Sequence, residues 1–105
     1  MKKTVLITGA TSGIGEACAH RFAQGGYNVI ITGRRVQLLA ELRKKLETEG
    51  AKVLALAFDV RNRVAATKAI ESLTVEWQDI DVLINNAGLA LGLEPAYEGH
   101  WDDWE

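Results

Sequence analysis

Several short stretches of this chain carry residues that could bind or polarise a ligand. The first is Thr8-Gly9-x-x-x-Gly13-x-Gly15, whose glycines let a backbone turn tightly and approach a bound group with no Cβ in between. A helical pattern opens at once with Glu16-Ala17-Cys18-Ala19, aiming its unpaired N–H groups and positive dipole end at that turn. Such an end suits a diphosphate, whereas the plainer alternative is a tight structural connection. The second stretch is Gly33-Arg34-Arg35. A ribose with a free 2′-hydroxyl is held by an acid about 20 residues beyond the glycines; here position 33 is glycine, and no Asp or Glu lies nearby. Two cations at a helix N-terminus are unfavourable by about 0.3–1 kcal/mol each, which suggests an anion that offsets them. A guanidinium fork matches the 2′-phosphate of NADP, with Arg34 the foremost candidate, and solvated arginines are the alternative. Asp59-Val60 and Asn85-Asn86-Ala87-Gly88 each end a further apolar run. An Asp in that position is commonly a cap or turn residue, and paired amides can tie strands together.

These stretches need elements to hold them. Thr4 to Thr8 is a β-branched, apolar strand, and the helix from Glu16 to about Gln24 stops at Gly25-Gly26. Asn28 to Thr32 reads as a second strand, apolar as a strand covered on both faces should be. From Val36 to Glu49, Val36, Leu39, Leu42 and Leu46 recur at three- and four-residue steps between charged residues, an amphipathic helix ended by Gly50. Lys52 to Phe58 is a third strand. Val64 to about Trp77 is a third helix, with Ala65, Ala69, Ile70 and Leu73 as its expected buried face, and Asp81 to Asn85 is a fourth strand. This β-α-β-α-β-α-β alternation demands a parallel, doubly wound α/β sheet of Rossmann type with right-handed crossovers and strand order 3-2-1-4. In such a sheet the C-terminal strand ends share one edge, so the chemically unusual stretches converge on one crevice.

The 105 residues suffice for one small domain with its own core. A net charge of −2, from 12 basic and 14 acidic residues, leaves no basic stripe for nucleic acid and no polybasic membrane patch. Neither partner is expected. The single Cys18, in an Ala-rich helix, reads as a small buried thiol, which fits a reducing cytoplasm. Cys18 and His20 are two apart on a helix and face different directions, so they do not make a metal site; Trp77, Trp101 and Trp104 read as packing residues.

Taken together, TGxxxGxG and NNAG resemble the signatures of the short-chain dehydrogenase/reductase family, in its main branch, from Lys3 to the end of the chain. The resemblance implies cofactor-binding roles: Gly9, Thr11, Ser12, Gly13, Ile14 and Gly15 on the diphosphate side, Arg34 and Arg35 at the 2′-phosphate, Asp59 and Val60 at the adenine, and Asn86, Ala87 and Gly88 on the ribose side. Asn86 is equally a structural candidate. The family's domain is more than twice this long, and its catalytic Ser and Tyr-x-x-x-Lys are missing here: Tyr27 is followed four places on by Ile31, and Tyr97 by Trp101. No catalytic residue is therefore assigned.

Residues 1–105 read as the NADP-binding portion of a single Rossmann domain, truncated before the catalytic segment. Asp102-Asp103-Trp104-Glu105 resembles a capping box with no helix after it. The fourth strand would then be an unpaired edge and one sheet face would have a single covering helix, inviting self-association; a full-length form is expected to be a homo-oligomer. The function implied is that of an NADP(H)-dependent oxidoreductase interconverting an alcohol and a carbonyl. Asp59-Val60-Arg61-Asn62-Arg63 and NNAGLALGLEPA look most like members acting on small 3-hydroxy acids such as serine, allo-threonine or 3-hydroxypropionate. The alternative is a non-catalytic NADP-binding or interaction module.

Overall fold

Strand β1, Thr4–Thr8, runs through the middle of the molecule, and all five of its residues are buried. The computed structural model describes residues 2–59 and 61–86. Val60, Ala87, Gly88, Tyr97, His100, Trp101, Trp104 and the 102–105 capping pattern lie outside the described residues. Around β1 the chain forms α1 (Gly13–Gln24), β2 (Asn28–Gly33), α2 (Val36–Thr48), β3 (Val53–Ala57), α3 (Arg63–Glu71), α4 (Val75–Gln78) and β4 (Val82–Asn85). The strands form one sheet in the order β3-β2-β1-β4. All pairings are parallel, with Val5 opposite both Val29 and Val82, as expected for a doubly wound sheet.

Alternation along β1 divides the core between the two faces. Val5 and Ile7 point to the side covered by α1 and α2, where Ala19, Ala23, Leu39, Leu42 and Leu46 meet them. Leu6 points to the other side and packs with Ala66, Leu73, Trp77, Ile80 and Leu83. Of the expected apolar stripe on α2, Leu39, Leu42 and Leu46 are buried, whereas Val36, the first helical residue, is exposed. Cys18 is half-buried against the first core.

The third helix departs from expectation. One helix from Val64 to Trp77 was predicted, but the chain forms α3, breaks after Glu71, and restarts as α4. At the break Ser72 turns its hydroxyl onto the Ala69 carbonyl, and Gln78 Nε2 donates to the Leu73 carbonyl. These local bonds offer the backbone an alternative to continued helix. Ala66 is buried rather than Ala65, Ala69 and Ile70 of the expected face, which are half-buried, while Leu73 and Trp77 lie in the core. The second face is thus covered by two short helices rather than one. Among the described residues β4 pairs only with β1, and Asp81 fixes its start by accepting the Thr4 N–H at 2.9 Å. No helix among the described residues is long and apolar enough to cross a membrane.

Candidate functional site

The ends of β1, β2, β3 and β4 meet at one edge of the sheet, and the turn after β1 is built first. Gly9 has φ +62°, a left-handed conformation that favours glycine. Gly15 is needed for a different reason: a Cβ there would overlap the Gly9 carbonyl oxygen and lie 2.9 Å from the Ala10 Cα. Gly13 has neither constraint, since a Cβ there would meet nothing within 4 Å. Ser12 caps α1. Its Oγ accepts the Gly15 N–H at 3.2 Å and donates to the Gly9 carbonyl at 2.9 Å. This cap draws Gly13 and Ile14 into the helix, so α1 starts three residues before Glu16, the expected first residue. The Gly13 and Ile14 N–H groups take no partner among the described residues.

Asn86 reaches the same turn from β4, with Nδ2 donating to the Gly9 carbonyl at 3.1 Å and to Ser12 Oγ at 2.6 Å. Its neighbour Asn85 accepts from the buried Thr8 hydroxyl at 3.0 Å. Both amides thus bind the ends of β1 and β4 together, and with Ser12 Oγ already making one donor and two acceptor bonds, Asn86 serves as a brace of the turn. From the other side, the Ala10 N–H donates to the Thr32 carbonyl of β2 at 3.0 Å.

Beside this turn lies a cleft of about 440 Å³. Gly9, Thr11 and Ser12 form one wall, while Gly33, Arg34, Arg35 and Leu38 form a second. Phe58, Asp59 and Arg61 close it from the end of β3. Of the residues singled out in the sequence, Gly9, Thr11, Ser12, Arg34, Arg35 and Asp59 line the cleft together; Gly13, Ile14, Gly15 and Asn86 stand around the turn outside it. Arg35 is the N-cap residue of α2 and makes no side-chain cap hydrogen bond, so the side chain does not serve the helix. Ile14 is 72% exposed at the mouth of α1.

Arg61 is the charged cleft residue that sequence reasoning did not assign. Its backbone N–H and its Nε donate to Asp59 Oδ1 at 2.9 and 3.1 Å, and its Nη2 donates to Oδ2 at 3.0 Å. Arg34 Nη1 stands 4.0 Å from the same Oδ2. The Arg61 side-chain hydrogen bonds, with the Arg61 N–H, hold the Asp59 carboxyl down to about 2 from an ordinary 3.8. Asp59 therefore is a turn residue and also a charged group on the cleft wall. The signal for Arg61 was present as an opposite charge two places beyond Asp59, the spacing of a side-chain-to-backbone turn. Leu38 and Phe58 were also unassigned; Leu38 is an apolar residue off the buried Leu39-Leu42-Leu46 stripe of α2. Three arginines and one aspartate line this cleft, an excess of positive charge suited to an anionic ligand. His20 lies elsewhere, with Nδ1 2.6 Å from Glu49 Oε2. No group of three potential metal-ligating side chains occurs among the described residues.

Comparison with known proteins agrees with this architecture. The chain is 54% identical over 101 residues to an NADP-dependent 3-hydroxy acid dehydrogenase of Salmonella typhi, a match covering 96% of this chain and 40% of that protein. It is 50% identical to the enzyme of the same name from Escherichia coli K12, with the same coverage. The chain thus spans about 40% of the length of the curated relatives it matches. Among solved structures, the closed form of a serine dehydrogenase complexed with NADP+ superposes with a TM-score of 0.74 at 50% identity, covering 96% of this chain and 40% of that one. The family profile described as short chain dehydrogenase matches residues 3–105. With that match spanning the glycine turn, the arginine corner and the asparagine brace, the chain belongs to the short chain dehydrogenase family.

Proposed function

We propose that this chain is the NADP-binding portion of an oxidoreductase that interconverts an alcohol and a carbonyl on small 3-hydroxy acids. The observation that carries the reading is the corner after β2: Gly33 stands where an acid would hold a free ribose hydroxyl, and Arg34 and Arg35 share one cleft with the glycine turn. Two further features fit a dinucleotide. Among the described residues the N–H groups of Gly13 and Ile14 sit without partners at the positive end of α1, and no described atom fills the space in front of Gly13, although neither φ nor packing requires glycine there. A diphosphate would use both.

In this reading Arg34 and Arg35 hold the 2′-phosphate, the start of α1 holds the diphosphate, and Asp59 accepts from the adenine amino group. Val60, Ala87 and Gly88 complete the adenine and ribose sides as the family resemblance implies. When bound, the nicotinamide supplies hydride transfer; the residues of this chain bind and orient it. The names of the relatives support both NADP and the hydroxy-acid substrate class.

The test is a titration of the purified protein with NADPH and NADH, followed by nicotinamide fluorescence. Selective binding of NADPH is expected, and Arg34→Ala should weaken NADPH binding about 10- to 100-fold, as loss of a charge-assisted hydrogen bond does, with little change for NADH. Equal losses for both cofactors, or a folded chain that binds neither, would overturn the assignment.

A further inference from the structure

Asp59 poses a problem for the site. It is a carboxylate within 4.0 Å of Arg34, the residue assigned to the cofactor phosphate, and an Asp–Arg pair would neutralise that guanidinium before any ligand arrived. A carboxylate offers about four acceptor positions. Arg61 fills three of them: its N–H and Nε take Oδ1, and its Nη2 takes Oδ2. The backbone bond closes a turn across two residues, so it sets the carboxylate's position as well as its partner. The side-chain fork then fixes the orientation of its plane. Arg34 is left at ion-pair distance without a hydrogen bond to the carboxylate, and a single acceptor position on Oδ2 stays open. Arg61 is 63% exposed, as is Arg34 at 60%, so neither side chain is held by burial and the arrangement rests on this competition for Asp59.

From this geometry we infer that Arg61 is a positioning residue for cofactor selectivity: by occupying the Asp59 carboxylate it keeps Arg34 free for a 2′-phosphate. The inference rests on the NADP reading above and deepens it. Without Arg61, Asp59 turns to Arg34, the nearest remaining cation, and the cleft loses phosphate affinity without losing a phosphate ligand. The loss at the phosphate falls on NADPH alone, because NADH has no group at that position, while any loss at the adenine is common to both cofactors and cancels in their ratio.

The experiment measures the ratio of NADPH to NADH affinity in the wild-type protein, Arg61→Ala, Asp59→Asn and the double variant, by nicotinamide fluorescence, with circular dichroism to follow the fold. Arg61→Ala should lower the ratio about three- to fivefold, the scale of an exposed ion pair. The double variant should restore it, since an amide no longer sequesters Arg34. Asp59→Asn alone should weaken both cofactors alike and leave the ratio intact. An unchanged ratio in Arg61→Ala would overturn the inference, and so would a lowered ratio that Asp59→Asn fails to rescue, which would make Arg61 a direct phosphate ligand. A wild-type protein with no NADPH preference would instead overturn the reading beneath it.

Discussion

At the scale of single residues, the glycine turn separates three reasons for one amino acid. Gly9 is required by its backbone angle, Gly15 by the Gly9 carbonyl against it, and Gly13 by neither. Gly15→Ala should therefore destabilise the protein by at least about 2 kcal/mol in urea denaturation, because a backbone atom cannot give way. Gly13→Val should leave the denaturation midpoint nearly unchanged and abolish NADPH binding, and a variant that still bound with wild-type affinity would remove the turn from the diphosphate site. Asp59 gives a prediction in pH. With its folded-state value at about 2 against an ordinary 3.8, its bonds to Arg61 contribute in full above about pH 4 and are lost as pH falls through 2. A carboxyl NMR titration should find Asp59 ionising near 2, and Arg61→Ala should raise it only part of the way to the ordinary value, because Arg34 then takes over as its partner. The sequence pointed to the glycines and arginines because their chemistry is local. It did not assign Arg61, whose role exists only once Asp59, Arg34 and the start of α3 stand at one cleft.

Among the elements, the strands were legible because each is a short apolar run closed by a polar or glycine-rich turn, and parallel order follows from the helices between them. The third helix was not. Its apolar spacing runs on past Glu71, while the bonds of Ser72 to Ala69 and Gln78 to Leu73 decide the break. A periodicity count does not weigh such side-chain competition. The asparagine pair was legible as a motif, but its mechanical role depends on β1 and β4 being neighbours. Asn86→Ala removes two hydrogen bonds from the turn, and it should cost about 1–2 kcal/mol in thermal or urea unfolding. It should also weaken both cofactors, since the start of α1 loses its brace. A loss of binding with no loss of stability would instead make Asn86 a ligand in its own right.

Across the molecule, the two cores differ in construction. One is closed by α1 and α2, the longest helices described, while the other depends on two short helices anchored by Trp77, which is 6% exposed and sits beneath Leu6 and Leu83. Lys52 stands 5.3 Å above the Trp77 ring and pairs with Glu76 at 2.7 Å, closing the outer side. Trp77→Ala should cost about 3–5 kcal/mol of stability by denaturant unfolding, more than any of the surface changes above. The brace from Asn86 to the Gly9 carbonyl spans 77 positions of the chain, and that distance has a consequence during synthesis. At about 5–20 residues per second, Gly9 is added to the growing chain roughly 4–15 s before Asn86. The turn that is first in the nascent chain is thus finished last, and a cofactor has no completed site to nucleate around until the fourth strand has docked.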